Sequence, residues 1–350
     1  MTPIIIGAIG GLRTGTRLLN LINPLNHDSS MKPLVLISPG TLNVPEDVSD
    51  TLKELAEVVY LKGDLDEQIA EAAAILVGGE RIDAGFLEKA PKLGIAARFG
   101  VGYDNVDVEA CTARKVYATH TPDVLSGAVA DHTWALILGF MRRIPAADAY
   151  TRNEWAKRER RLPFGWDMEG KFLGILGLGR IGTEVLKRSQ GFGVETIYND
   201  LVEKPSLEER YGVRRVDLDT LLHESDVITV HVPLTPLTWG MIGAEEIGKM
   251  KPSAVLVNTS RGPVINEKAL TEALKNKQIR GAALDVFEEE PTPLDNPLLG
   301  MDNVVLTPHH ASATWETRRK MAETAVANIR AYLEGRRPPN LVPEQRDAAF

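Results

Sequence analysis

Residues 171–200 read KFLGILGLGRIGTEVLKRSQGFGVETIYND. They comprise an apolar strand from Phe172 to Leu176, a glycine-rich turn from Gly177 to Gly182, a helical segment with Ile181, Val185 and Leu186 inward, and a second apolar strand ending in Asp200. Few folds accommodate that order. In a G-x-G-x-x-G turn between strand and helix, the first glycine allows the tight turn, the second lets backbone approach a ligand, and the third lets helix pack on strand. The helix N-terminus then faces an anion. The pattern predicts a parallel βαβ unit that holds a dinucleotide pyrophosphate at Gly177, Gly179 and Gly182. Asp200, about twenty residues on, falls where a carboxylate receives ribose hydroxyls. A carboxylate there repels a 2′-phosphate, and Leu201 and Val202 beside it supply no arginine to neutralise one, so NAD is expected in preference to NADP.

The same alternation of strand and helix runs through most of the chain. From Leu34 the apolar runs LVLI, VVYL, AILVGG, LGIAARFG and VYATH are separated by helical segments, and from Lys171 a second series follows with FLGILG, VETIYND, DVITVHV, AVLVNTS and RGAALDVF. Strands alternating with helices predict parallel sheets covered on both faces. The expected fold class is therefore α/β, with two doubly wound parallel-sheet units. At 350 residues and 43% hydrophobic content the chain can bury two cores. Asp123 to Ile144 reads as one long helix crossing between the units, with Ala128, Leu136, Ile137 and Phe140 on its apolar face. Thr314 to about Glu334 reads as the last helix, after a final strand from Asn303 to Thr307.

Composition narrows the partners. A net charge of −8 argues against nucleic acid, whose binders carry a basic face. Nor does any apolar stretch approach the roughly 18 residues of a membrane span. The run PIIIGAIGG near the start has no basic region before it, so a secretory signal is not expected. Residues 1–30 are expected to be a poorly ordered extension, with the domain starting at Met31. A single cysteine, Cys111, allows neither an intramolecular disulfide nor a thiolate metal cluster, and points to a cytoplasmic setting with no metal.

Downstream of the glycine turn the stretches HVPLTPLTWGMI, VNTSRGPVINEKAL, GAALDVFEEEP and NVVLTPHHASAT occur in that order, and ARFGVGYDNVD lies in the first unit. With these, the chain resembles the D-isomer-specific 2-hydroxyacid dehydrogenase family from Leu34 to its Pro-rich tail, most of all the glyoxylate/hydroxypyruvate reductase branch. The resemblance implies two flavodoxin- or Rossmann-like domains. A nucleotide domain, 122–306, would be inserted into a substrate domain made of 31–121 and 307–340, with hinges near Thr121-Pro122 and Leu306. It also implies a homodimer acting on a small 2-keto or 2-hydroxy acid.

Reducing a 2-keto acid needs a cation for the carboxylate, a proton donor for the developing alkoxide, and a partner that keeps the donor charged. Arg261 follows the strand AVLVN at the carboxyl end of a sheet, and its planar fork suits bidentate carboxylate binding. Among Glu288, Glu289 and Glu290 composition makes no choice. The resemblance selects Glu290, whose place before Pro291 restricts it to extended geometry, and leaves Glu288 and Glu289 at the surface. It likewise selects His309, after Pro308, as the proton donor. His310 would then point away, because adjacent extended residues face opposite sides. His27, His132 and His223 read as structural.

The resemblance further places the N–H groups of Val101 and Gly102 on the substrate carboxylate and Asp285 on the nicotinamide carboxamide. Arg180, Ile181, Val232, Pro233, Thr259, Ser260 and Ser312 would complete the cofactor site. Tyr103 favours glyoxylate or hydroxypyruvate. Two departures from the family pattern, His120 for the usual Asn before Thr-Pro and Asp131 for the frequent Glu, concern the cofactor edge. Two other readings fit the same motifs: a short-type D-3-phosphoglycerate dehydrogenase, and an NAD-sensing corepressor-like dimeric scaffold.

Overall fold

The computed structural model describes residues 32–41, 44–62, 68–157, 161–348 and 350; the expected extension 1–30 lies outside them. The first unit contains β1 (Leu34–Ile37), α1 (Glu46–Ser49), β2 (Glu57–Tyr60), β3 (Ala72–Val77), α2 (Ala84–Lys89), β4 (Ile95–Arg98), α3 (Val108–Ala113) and β5 (Tyr117–Thr119). Its strands are parallel, in the order β2-β1-β3-β4-β5, the flavodoxin-like arrangement. Alternate residues of a strand face opposite sides, and the two faces carry separate cores. Val35, Ile37, Leu76 and Ala97 pack with residues of the last helix, whereas Leu36, Ile75, Val77 and Ala96 pack with Leu87 and Cys111. That is why β3, AAAILV, is buried along its whole length and shows no polar alternation.

The connection is α4 (Ser126–Met141) and α5 (Ile144–Asn153). Here the structure corrects the single helix expected from Asp123 to Ile144. Asp123 and Arg143 both have positive φ, at 66° and 53°, which an α-helix cannot contain, so α4 starts after the first and ends before the second. Trp134, Ile137, Phe140 and Met141 of α4 are buried, but among the described residues none of α5 is fully buried.

The second unit comprises β6 (Phe172–Leu176), α6 (Arg180–Ser189), β7 (Glu195–Asn199), α7 (Pro205–Tyr211), β8 (Arg214–Arg215), α8 (Leu218–Glu224), β9 (Val227–Val230), α9 (Ala244–Gly248), β10 (Val255–Asn258), α10 (Glu267–Lys275), β11 (Gly281–Leu284) and β12 (Val304–Leu306). Its order, β12-β11-β10-β9-β6-β7-β8, all parallel, is that of a Rossmann sheet with one further strand. The strand order reverses between β6 and β9, and ligands of such sheets bind outside the carboxyl ends of the strands at that point.

The chain then returns to the first unit. The last helix, α11 (Trp315–Leu333), begins with the Thr314 side chain accepting the N–H of Thr317 and places Met321, Ala325 and Ile329 on the first sheet. Beyond it, Leu341 pairs antiparallel with Thr119, and the fully buried Gln345 accepts the N–H of Ala118 and donates to the carbonyl of Val116. The C-terminal segment thus occupies the open edge of β5, an edge that would otherwise leave backbone groups unpaired. No helix among the described residues is long and apolar enough to cross a membrane.

Candidate active site

At the end of β6 the glycine turn has the form its sequence requires. Gly177 has φ of +93°, a Cβ on Gly182 would lie 2.2 Å from the Gly177 carbonyl oxygen, and a Cβ on Gly179 would meet open space. The first two positions exclude larger residues, and the third leaves room above the N-terminus of α6. Asp200 ties the neighbouring strand to this turn: its Oδ2 accepts the N–H of Leu178 at 2.8 Å and its Oδ1 that of Val202 at 2.9 Å. Each oxygen retains a lone pair for a ribose hydroxyl. These features fit a bound dinucleotide. One expectation needs revision, since an arginine is present after all. Arg215, on the adjacent strand β8, donates to the carbonyl oxygens of Asp200 and Leu201 at 2.8 and 3.2 Å and to Glu203 at 2.8 Å. It is distant in sequence and comes to the turn through strand pairing.

The other expected cofactor residues surround the same crevice in different ways. Val232 lies against Gly177, and Pro233 follows it at the end of β9. Arg180 pairs with Asp123, and Ile181 packs against the core of the first unit. Thr259 turns its hydroxyl to Thr133 at 2.9 Å, while Ser260 donates to Asn258 at 2.8 Å. Ser312 lies in the turn before α11 and accepts the N–H of Thr314.

Next to this crevice, Arg261 meets the loop after β4. Its Nε donates to Asp104 at 2.9 Å and one Nη1 hydrogen to the Ser260 carbonyl at 2.8 Å. Nη2 lies so near Gly102 that a Cβ there would be 1.8 Å away. A guanidinium has five N–H groups, so the Nη edge remains available for an anion. Among the described residues the N–H groups of Val101 and Gly102 donate to no acceptor in the chain, and they stand beside that edge.

His309 Nδ1 lies 2.6 Å from Glu290 Oε2, and Glu290 Oε1 accepts the N–H of Phe287 at 3.0 Å. Burial alone would raise the Glu290 pKa. The His309 bond and charge, the Phe287 N–H and the positive charge of Arg261 outweigh it and hold the carboxyl below its ordinary value. The bond from Glu290 to Pro291 is cis. With Nδ1 committed to the carboxylate, Nε2 is the ring nitrogen left for another partner. Glu288 instead joins Glu267 at the start of α10, exchanging backbone and carboxylate bonds, and Glu289 is exposed.

The reason expected for separating His309 from His310 does not hold. His309 is not extended; its φ is +49°. A network around Asp285 separates them instead. The His309 N–H donates to the Asp285 carbonyl at 2.7 Å, while the N–H groups of His310 and Ala311 donate to the two carboxylate oxygens at 2.7 and 2.9 Å. Thr307 Oγ1 also donates to that carboxylate, at 2.5 Å, and so accepts from His132 Nε2 at 2.9 Å. Asp285 is fully buried. Desolvation would raise its pKa, but the bonds from His132, Thr307, His310 and Ala311 hold it below the usual value. His132, read from sequence as an isolated structural histidine, thus belongs to the support of the proposed proton donor. No spacing rule links a residue of α4 to the turn after β12.

Three other residues singled out in the sequence have partners within the chain. His120 is buried, with Nδ1 2.9 Å from the Val101 carbonyl. Asp131 pairs with Arg188 at 2.6 Å on the protein exterior. The Tyr103 hydroxyl donates to Glu344 of the C-terminal segment.

Residues 134–311 match the family model described as D-isomer specific 2-hydroxyacid dehydrogenase, NAD binding domain. The glyoxylate reductase of Thermococcus litoralis is 46% identical over 325 residues, covering 89% of this chain and 97% of that protein. The chain belongs to the D-isomer-specific 2-hydroxyacid dehydrogenase family. Solved structures of similar shape include two in complex with both a nicotinamide cofactor and an organic acid. The NADPH-dependent glyoxylate/hydroxypyruvate reductase of Sinorhizobium meliloti, in complex with NADP and malonate, has a TM-score of 0.82 at 33% identity, covering 91% of this chain and 99% of that one. The D-lactate dehydrogenase of Aquifex aeolicus, complexed with NAD and lactic acid, has a TM-score of 0.80 at 29% identity, covering 88% and 98%. As a member of this dehydrogenase family the chain is an NAD(P)-dependent oxidoreductase.

Proposed function

We propose that this dehydrogenase reduces a small 2-keto acid of the glyoxylate or hydroxypyruvate type to the D-2-hydroxy acid. The observation that carries the reading is the 2.6 Å contact between His309 Nδ1 and Glu290, beside an arginine edge and two backbone N–H groups that have no acceptor among the described residues. Arg261 and the N–H groups of Val101 and Gly102 hold the substrate carboxylate, so the carbonyl is fixed before reaction. The cofactor, when bound, supplies hydride to the carbonyl carbon. His309 gives its Nε2 proton to the carbonyl oxygen, and Glu290 stabilises the imidazolium and fixes its tautomer. Gly177, Gly179, Gly182 and the first turn of α6 take the pyrophosphate, and Asp200 takes the ribose. NAD is the favoured cofactor, and NADP is accommodated by relatives of this fold.

In this reading 31–121 with 307–340 forms the substrate domain and 122–306 the nucleotide domain. The protein is also a homodimer. No residue of helix α5 is fully buried among the described residues, and Ile144, Trp155 and Phe164, close to it in sequence, are exposed apolar side chains that a second copy would cover. The buried single cysteine supports a cytoplasmic setting. The test is steady-state turnover of a panel of 2-keto acids with NADH and with NADPH. Glyoxylate and hydroxypyruvate are expected to lead the panel. A chain that binds NADH but turns over no 2-keto acid would overturn the proposal.

A further inference from the structure

The two N–H groups assigned to the substrate carboxylate belong to a short loop whose direction must be fixed by something. The Gly100 carbonyl accepts the N–H of Thr121, which secures one end. At the centre, the Val101 carbonyl accepts a hydrogen from the ring of His120 at 2.9 Å. A carbonyl oxygen only accepts, so Nδ1 carries the hydrogen. Burial, opposed by this bond, lowers the His120 pKa, and the charges of Arg180 and Arg346 lower it further against a smaller effect of Asp123. Burial and these charges favour the neutral ring, and the Val101 carbonyl sets its tautomer as Nδ1–H.

His120 is itself held from several sides. Its ring lies edge-on to Tyr103, with centroids 5.3 Å apart, and the Tyr103 hydroxyl donates to Glu344 of the C-terminal segment. Its backbone N–H donates to the Asn340 carbonyl at 3.1 Å, and its carbonyl accepts from the buried Asn328 at 3.3 Å. The loop, the histidine and the C-terminal segment thus form one connected support.

We propose that His120 is a positioning residue for substrate binding: by holding the Val101 carbonyl it aims the N–H group of Gly102 at the keto-acid carboxylate beside Arg261, next to the Val101 N–H, whose own peptide plane Thr121 holds through the Gly100 carbonyl. A peptide plane is rigid, so the direction of the Val101 carbonyl sets that of the Gly102 N–H in the same plane. The inference rests on the proposed role of this loop. His120 touches neither substrate nor cofactor, and its effect falls on keto-acid binding.

An asparagine amide places an N–H donor the same number of bonds from Cα as histidine Nδ1. His120→Asn can therefore remake the bond, and His120→Ala cannot. The experiment compares these variants, with His309→Ala assayed alongside, by steady-state kinetics with glyoxylate and NADH, by NADH dissociation constants from fluorescence, and by thermal melting. For His120→Ala the KM for glyoxylate should rise about tenfold, the worth of one hydrogen bond. Its kcat should stay within about threefold of wild type and its NADH affinity should be unchanged, the pattern of lost uniform binding. His120→Asn should return KM to within about threefold of wild type. Tyr103→Phe, which keeps the ring against His120 and loses the bond to Glu344, should raise KM by a smaller factor with kcat unchanged. If the alanine variant does not fold, the asparagine and Tyr103→Phe variants carry the test. An unchanged KM in a folded His120→Ala, a loss in kcat alone, or an asparagine variant no better than alanine would overturn the inference. Full activity of His309→Ala would instead sink the catalytic reading of the site on which it rests.

Discussion

The backbone N–H of His309 donates to the carbonyl oxygen of Asp285 at 2.7 Å, while the side chain of the same aspartate takes the N–H groups of the next two residues, His310 and Ala311. One residue at the end of β11 therefore fixes the turn that carries the proposed proton donor. His309 sits at positive φ, a conformation a histidine adopts at a cost, and the three bonds to Asp285 offset it. The imidazole consequently leaves the sheet in the direction of Glu290.

Asp285→Asn tests this support. Asparagine must present an N–H₂ to at least one backbone N–H now facing a carboxylate oxygen, so the change should destabilise the fold by about 1–3 kcal/mol, the cost of an unsatisfied buried donor. The effect should depend on pH. The folded-state pKa of Asp285 is depressed, so its contribution is present above the ordinary aspartate value, ~3.9, and is lost as pH falls through the folded value. Melting curves at neutral pH and in the acid range should show the gap between wild type and variant narrowing on acidification. A gap of constant size would mean that ionisation of this carboxylate is not what holds the turn.

Features that depend on local periodicity were legible in the sequence, and features that depend on long-range pairing were not. The two sheets follow from apolar runs alternating with helical segments, and the glycine turn from residues whose backbone demands no other side chain meets. Asp200 was placed by its distance along a βαβ unit. By contrast, Arg215 joins the ribose turn because β8 pairs with β7, and His132 joins Asp285 because α4 crosses beneath β12. The break between α4 and α5 was missed for a related reason. Arg143 is itself no turn former, although its φ is left-handed, and the available signal was Pro145, which sits in the first turn of α5 and marks a new helix start. Of the paired histidines, the family pattern selected His309, but the geometric reason attached to it was wrong.

Cofactor preference follows from Asp200. Its carboxylate should favour NADH, and Asp200→Ala should weaken NADH by about tenfold or more, the worth of a hydrogen bond to a charged group, while affecting NADPH less. The ratio of kcat/KM values for the two cofactors measures this. A wild-type enzyme that already prefers NADPH would contradict the role given to Asp200 and direct attention to Arg215, whose guanidinium lies on the same turn.

Association should run through the surface around α5. Trp155 is 63% exposed and Phe164 95%, and a pair of chains related by two-fold symmetry would cover these residues in both copies. Sedimentation at micromolar concentration should give twice the chain mass. Replacing Trp155 and Phe164 together by glutamate should shift the species towards monomer while leaving the melting of the chain largely intact. A wild-type monomer at that concentration removes the proposal.

The acid/base assignment makes the most discriminating prediction. Both histidines of the pair are exposed at the turn, so accessibility does not distinguish them, but only His309 contacts a carboxylate through its ring. His309→Ala should lower kcat by roughly 10²–10⁴-fold, the usual range for loss of a general acid, with NADH affinity little changed. His310→Ala should remain within about tenfold of wild type, a barrier difference of ~1.4 kcal/mol, because its backbone N–H, which the substitution retains, makes the bond to Asp285. Glu290→Gln should do something different from either. The amide oxygen can still accept the Nδ1 hydrogen, but the charge that balances the imidazolium is gone, so kcat for reduction should fall by less than in His309→Ala, with NADH affinity little changed. Equal losses at both histidines, or full activity without the Glu290 charge, would show that the proton comes from elsewhere.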